Sequence, residues 1–162
     1  NLHLYTEGGY IMKVRQHLQV SAEAFFAEIM TSICADIQKE TKKKVRMAIL
    51  EKGYSYTKRL PKRSTKNAEV IVKILDCIPN RRYCASFTSQ MDITIVSYDI
   101  EVMDAGTIAV TYEENYQLKD AYQLKHRFFR DTLLAKDAQK RGIKLLKHIE
   151  HCIIKQQKAG AV

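Results

Sequence analysis

The sequence predicts an α+β domain in which a curved antiparallel sheet wraps around a long C-terminal helix, with two short helices after the first strand. Apolar residues recur at helical spacing near the N-terminus and again from Ala121 to Gln157. Between these segments, residues 54–117 alternate apolar and polar side chains and are divided by short turns, which is typical of a meander of hairpins. A chain of 162 residues, of which 46% are hydrophobic, can bury one core of this kind.

The first elements are a strand and a helical segment. Met12–Val20 alternates apolar with charged or polar residues, which predicts a half-exposed strand. Ser21 is a good N-cap residue, and the apolar residues after it are spaced to form one helical stripe. We expect the helical segment to kink near Thr31 and Ser32, giving two short helices, and to end in the lysine run 42–44.

Residues 1–11 have no clear period, and we expect them to be a leader segment ahead of a single domain at 12–158. The four cysteines show no C-x-x-C spacing, so reduced thiols are predicted rather than a disulfide framework or a zinc site. The apolar runs are shorter than the roughly 20 residues that a membrane-spanning helix requires. These features predict a cytoplasmic domain without membrane insertion, cofactor or bound metal.

Five further strands are predicted between turn signals such as Ile78-Pro79-Asn80. They cover residues 54–57, 69–77, 82–89, 93–103 and 107–117. In the final helix, large apolar residues lie at the ends and small ones in the middle. The large residues are Leu124, Phe128, Leu145 and Ile149, and the small ones are Ala135, Ala138 and Gly142. The middle therefore either lies close against the sheet or roofs a space, and any interruption of the helix is expected near Gly142.

The net charge of +9 is unevenly distributed along the chain. Residues 38–66 carry a net charge of +9 and residues 119–162 carry +7, whereas residues 67–118 carry −5. If the basic segments converge in space, they form a surface for a nucleic acid or an acidic protein. Lysines on exposed helix faces and turns also keep a domain soluble, and this interpretation is favoured.

Several short motifs resemble, as a set, a family of small uncharacterised proteins from low-GC Gram-positive bacteria. They are residues 12–26, Ser32-Ile33, Asp36-Ile37, residues 53–56, residues 78–80, Ser97-Tyr98-Asp99, Tyr112-Glu113-Glu114 and Lys140-Arg141. That family is similar to the START-like, or helix-grip (SRPBCC-like), superfamily, and the resemblance covers about residues 12–155. It implies the helix-grip fold but no activity, because the family has none assigned. Relatives in the superfamily bind lipids, polyketides, hormones or protein partners, so the wider analogy leaves the ligand open.

The residues expected to line a cavity between the sheet and the final helix are mostly aromatic. Aromatic walls with polar tips are typical of ligand cavities, although aromatic residues also fill ordinary cores. The candidates are Tyr54, Tyr56, Tyr83, Phe87, Tyr98, Tyr112, Glu114, Phe128, Asp131, Ala135, Ala138 and Gly142. Glu114 is either an inward polar group of the cavity or a rim residue paired with a lysine. Asp131 either marks the cavity mouth or shows that the apolar stripe is shifted by one residue.

Sequence signatures of catalysis are largely absent. There is no G-x-S-x-G, P-loop, G-x-G-x-x-G or H-E-x-x-H motif. His148 and His151 lie three residues apart on the final helix, but two imidazoles without a third ligand rarely bind a metal. No catalytic or metal-binding residue is therefore predicted.

Three functions follow from these observations. The leading hypothesis is a non-enzymatic domain that binds a small, apolar or amphipathic molecule between the sheet and the final helix. The alternative is a regulatory interaction protein that binds RNA or an acidic protein through its basic segments. A third is a hydrolase or cyclase that uses Glu114 or Asp131, for which the sequence suggests no substrate.

Overall fold

A curved antiparallel sheet forms the body of the computed structural model, which describes residues 2–6, 9–60, 68–119 and 128–160. Its strands within these ranges are β1 (Leu2–Thr6), β2 (Gly9–Leu18), β3 (Ser55–Leu60), β4 (Ala68–Ile78), β5 (Arg82–Thr88), β6 (Asp92–Asp104) and β7 (Thr107–Leu118). Their order across the sheet is β1-β2-β7-β6-β5-β4-β3, and each neighbouring pair is antiparallel. Strands β3 to β7 form the predicted meander, and β2 joins it beside β7.

The N-terminal strands extend the sheet past the predicted domain boundary at residue 12. β1 pairs with β2, and Tyr10 of β2 is buried in the core. Residues 2–6 and 9–11 therefore contribute to the sheet, and the origin of segment 1–11 as a leader stays a prediction. In β2, Met12 is fully buried whereas Lys13 is exposed, which is the alternation that predicted this strand.

The first helix, α1 (Ala22–Thr41), is continuous, so the prediction of two short helices is wrong. The Ser21 hydroxyl caps it by accepting a hydrogen bond from a backbone N–H of the first turn at 3.2 Å, as predicted. The helix continues through Thr31 and Ser32 without a break; both lie exposed on its surface, and no glycine or proline adjoins them. The helix stops at Lys42, which adopts the left-handed conformation common at helix ends.

The second helix, α2 (Phe128–Ala159), is uninterrupted at Gly142. Its buried positions in the described part are Ala138, Gly142, Leu146 and Ile153. Leu145, a predicted core residue, is 36% exposed, whereas Leu146 is fully buried. The buried stripe therefore keeps the predicted positions Ala138 and Gly142, and one turn later it includes Leu146 instead of the predicted Leu145. Neither helix of the described ranges has an apolar stretch that is long enough to cross a membrane.

The core lies between the concave face of the sheet and the two helices. α1 contacts the sheet mainly through β3, at one edge, whereas α2 contacts mainly β2, near the other edge. A 3-10 turn at Met47–Ile49 lies between α1 and β3. Because the helices cover different halves of the sheet, the strands in the middle, β5 and β6, face the space between them.

Candidate ligand cavity

A cavity of about 480 Å³ lies between the sheet, α1 and the C-terminal half of α2. Its lining residues are Glu28, Ile29, Ser32, Ile33 and Asp36 from α1, Tyr56, Lys58, Tyr83, Phe87, Val96, Tyr98 and Tyr112 from the sheet, and Leu145, His148, Ile149 and Cys152 from α2. Ligand pockets usually have volumes of about 300–1,000 Å³. The volume is therefore sufficient for a small molecule.

Three tyrosines lie side by side across the floor of the cavity. Tyr83 of β5 is directly opposite Tyr98 of β6, which is directly opposite Tyr112 of β7. The ring centroids are 6.4 Å apart in the first pair and 5.1 Å apart in the second. Directly opposed residues point to the same face of a sheet, so the strand register builds this tyrosine row.

Glu114 lies next to the β7 end of the tyrosine row. It follows Tyr112 by two residues and therefore faces the same side of the sheet. Tyr112 donates a hydrogen bond to its Oε2 at 3.0 Å, and Tyr10 donates one to its Oε1. Arg141 of α2 places Nη2 at 3.7 Å from Oε1. Glu114 is thus turned inward, and its cationic partner is an arginine of α2 rather than a lysine at the rim.

A second carboxylate, Asp36 of α1, lies at the β3 side of the cavity. Its Oδ2 accepts hydrogen bonds from the Tyr56 hydroxyl at 2.6 Å and from Lys58 Nζ at 2.8 Å. Lys58 Nζ also lies 6.0 Å from the centre of the Phe87 ring. The sequence analysis missed Asp36 and Lys58 as site residues. Lys58 could have been found from its place two residues after Tyr56 on the same strand face, but only the tertiary fold shows that Asp36 meets them.

The α2 side of the cavity carries an imidazole and a thiol one helical turn apart. Cys152 Sγ lies 3.6 Å from His148 Nε2, and both residues line the cavity. His151, which the sequence pairs with His148, is exposed and lies outside the lining. In the described part of the chain, no group of three or more histidine, cysteine or acidic residues could hold a metal ion.

Burial raises the pKa values of the three hydroxyls in the tyrosine row. Loss of solvation is the largest cause at Tyr83, Tyr98 and Tyr112. The nearby Glu114 carboxylate raises the pKa values of Tyr98 and Tyr112 further. The hydroxyls are therefore protonated throughout the physiological pH range, and each can donate a hydrogen bond.

The structure divides the predicted cavity residues into three groups. Those in the lining are Tyr56, Tyr83, Phe87, Tyr98 and Tyr112, and those described but outside the lining are Tyr54, Glu114, Ala138 and Gly142. Phe128, Asp131 and Ala135 belong to α2, but their side chains lie outside the described residues, as does all of Leu124 and the predicted helix start at Ala121.

The small residues of α2 allow close contact with the sheet rather than roofing the cavity. A Cβ atom on Gly142 would lie 2.9 Å from the Tyr112 ring and 3.2 Å from the Met12 methyl carbon. Ala138, one turn earlier, is fully buried. Of the two arrangements that the sequence allows for the middle of this helix, the structure therefore shows the close one.

The sequence matches, over residues 12–135, a family described as a domain of unknown function, DUF3284. The chain belongs to the DUF3284 family. No functionally curated protein matches it.

Solved structures share the fold of this DUF3284 domain at low sequence identity. The Zhui aromatase/cyclase from Streptomyces sp. R1128 is 12% identical, with a TM-score of 0.63 over 93% of this chain and 96% of that chain. A START superfamily protein from Mycobacterium smegmatis is 12% identical, with a TM-score of 0.59 over 92% of this chain and 99% of that chain. The predicted START-like, helix-grip fold is confirmed. Similarity at this level shows the fold and leaves the activity open.

Proposed function

We propose that this DUF3284 domain binds a small, largely apolar molecule in the cavity between the sheet and the two helices. The observation that carries the proposal is the cavity of about 480 Å³ itself. Its walls are mainly aromatic and aliphatic, and its few polar groups lie at defined places, which is the usual chemistry of a ligand site. The aliphatic part consists of Ile29, Ile33, Val96, Leu145 and Ile149.

Two further observations support this proposal. The fold is shared with a START superfamily protein and with a protein named as an aromatase/cyclase, which favours small-molecule binding by analogy of fold. All four cysteines are free thiols, which is typical of a protein of the reducing cytoplasm, where we propose that the domain acts.

No observation of equal weight favours the two other functions. Lysines 39 and 42–44 are exposed around the end of α1, but Lys58 is paired with Asp36 and Arg59 lies 4.0 Å from Glu69. Binding of RNA or an acidic protein by this basic segment stays a prediction. A hydrolase or cyclase that used Glu114 would need to free a carboxylate that three protein groups already contact.

A bulky side chain placed in the cavity tests the proposal. Ile33 of α1 lines the cavity, whereas Ala35 is exposed on the same helix, so Ile33→Trp and Ala35→Trp form a matched pair. Fluorescence titration with the neutral, apolar probe N-phenylnaphthylamine measures occupancy, and native mass spectrometry detects molecules that co-purify.

We expect the wild-type domain and Ala35→Trp to bind the probe with equal affinity, and Ile33→Trp to bind it at least about tenfold more weakly, because an indole fills much of the apolar space. Absence of probe binding to the wild type, together with no co-purified molecule, would contradict the proposal. Equal binding by Ile33→Trp would place the probe elsewhere on the domain.

A further inference from the structure

The inner hydroxyls of the cavity differ from the outer ones in their hydrogen bonding. At the edges, Tyr56 donates to Asp36 and Tyr112 donates to Glu114. Between them, the Tyr83 and Tyr98 hydroxyls have no hydrogen-bond partner among the described residues, although both side chains line the cavity.

The surroundings of Tyr98 direct its open surface into the cavity. Its ring contacts Tyr112 on one side and Tyr83 on the other, and the Phe25 ring of α1 lies 6.2 Å away between centroids. Tyr98 is half-buried, and its burial is the main cause that raises its pKa. It nevertheless keeps part of its surface open, and that surface belongs to the cavity lining. Buried tyrosine hydroxyls normally have a partner, so this position points to an atom of a ligand.

The charges beside the tyrosine row select a neutral ligand group. Asp36 is compensated by Lys58 at 2.8 Å, and Glu114 has Arg141 at 3.7 Å. Each of these two carboxylates therefore has its own cation, and neither cation is left to bind a ligand anion beside the row. Glu28 and His148 also line the cavity, but they belong to the helices. The two phenolic hydroxyls, in contrast, are free to donate hydrogen bonds.

We infer that the ligand carries a neutral carbonyl group whose oxygen accepts a hydrogen bond from the Tyr98 hydroxyl, with the Tyr83 hydroxyl as a second donor. A carbonyl oxygen has two lone pairs and can accept from both donors. A hydroxyl oxygen also has two lone pairs, but it brings a proton that needs an acceptor of its own, whereas a carbonyl does not. This inference rests on the proposed function, because it assigns the polar group of the same ligand.

A pair of probes that differ only in a carbonyl tests the inference. Benzophenone and diphenylmethane have the same two rings, joined by a carbonyl in the first and by a methylene in the second. Their affinities for the wild-type domain, Tyr98→Phe and Tyr83→Phe are measured by calorimetric titration. Tyr54→Phe is the matched control, because Tyr54 lies outside the cavity lining.

We expect the wild type to prefer benzophenone and Tyr98→Phe to bind it about 2- to 12-fold more weakly, which corresponds to one neutral hydrogen bond. Diphenylmethane affinity stays unchanged in Tyr98→Phe, and Tyr54→Phe changes neither affinity. If both probes bind equally well, or if Tyr98→Phe weakens both to the same extent, the carbonyl inference is wrong while the cavity function stands. If neither probe binds the wild type although N-phenylnaphthylamine does, the carbonyl inference is wrong and the proposed function stands. If none of the three probes binds and no molecule co-purifies, both are wrong.

Thermal unfolding of the ligand-free variants provides a second readout. Tyr98→Phe removes a hydroxyl without a protein partner, so its melting temperature should equal or exceed that of the wild type. Tyr112→Phe removes the donor to Glu114 and should lower the melting temperature. A clear loss of stability in Tyr98→Phe would show that its hydroxyl serves the fold, and would overturn the assignment to a ligand.

Discussion

Two parts of α2 meet the rest of the molecule in opposite ways. Around Gly142 the helix touches the sheet so closely that an added methyl group would lie 2.9 Å from Tyr112. Around Ile149 the same helix borders a cavity of about 480 Å³, and near its end Gln156 donates a hydrogen bond to Glu28 of α1 at 3.2 Å. The comparison shows that small residues mark where a helix lies against the sheet, whereas the open space lies beneath larger residues.

Two adjacent leucines separate the packed part from the cavity part, and their removal should give the largest effect. Leu146 is fully buried and Leu145 is 36% exposed at the cavity. We expect Leu146→Ala to lower the free energy of unfolding by about 2–5 kcal/mol, since it leaves a void in a packed core, and Leu145→Ala by about 1 kcal/mol or less. Urea denaturation of both variants, with unchanged m-values, measures the difference. Equal losses would mean that both leucines contact the core alike.

Adding side-chain atoms, instead of removing them, also distinguishes the packed part of α2 from the cavity part. Leucine is a better helix former than glycine, but at position 142 it would collide with Tyr112 and Met12. We expect Gly142→Leu to destabilise the domain by about 2 kcal/mol, and Ile149→Phe, which extends into the cavity, by less than about 1 kcal/mol. Chemical denaturation of both variants measures the two changes in the free energy of unfolding. A Gly142→Leu variant as stable as the wild type would contradict the close contact described for this turn.

The smallest expected effect is on the pH dependence of stability, through the tyrosine row that borders both parts. Burial raises the pKa values of Tyr98 and Tyr112 in the folded state. The unfolded chain therefore loses these protons first as the pH rises above about 10. The contribution of these two tyrosines to the free energy of unfolding should stay constant below about pH 9 and fall above about pH 10. Tyr98→Phe should show a shallower fall. Urea denaturation at several alkaline pH values measures the free energy of unfolding of both proteins. If it falls equally steeply with pH in the wild type and in Tyr98→Phe, the assignment of this effect to Tyr98 is wrong.

The sequence was sufficient for most of the fold because the fold depends on periodicity. Alternation predicts β2 to β7 to within a few residues, and Ser21 marks the start of α1 as the capping rule requires. β1 was missed, because it lies in the segment without a clear period that was expected to be a leader. The predicted division of the helical segment at Thr31 and Ser32 was wrong, because two exposed hydroxyl residues do not interrupt a helix whose other face is buried.

The cavity could be predicted only in part, for a reason that lies in tertiary geometry. The tyrosines of neighbouring strands follow from strand alternation, and they do line the floor. The helical side follows only in part, because the buried stripe of α2 keeps Ala138 and Gly142 but includes Leu146 instead of Leu145. The contribution of α1, including Asp36, requires knowledge of how that helix crosses the sheet. The sizes of the side chains around Gly142 did not show whether this part of α2 lies against the sheet or covers an open space.

The chain contains nine tyrosines and no tryptophan. Since tyrosines form the floor of the cavity, the intrinsic ultraviolet absorption and emission of the folded domain come in part from the side chains that a bound molecule would touch. The domain thus contains its own optical reporter of occupancy. A single tryptophan introduced elsewhere on the surface would be spectrally distinct, and energy transfer to it from the tyrosines would report on the cavity without any chemical label.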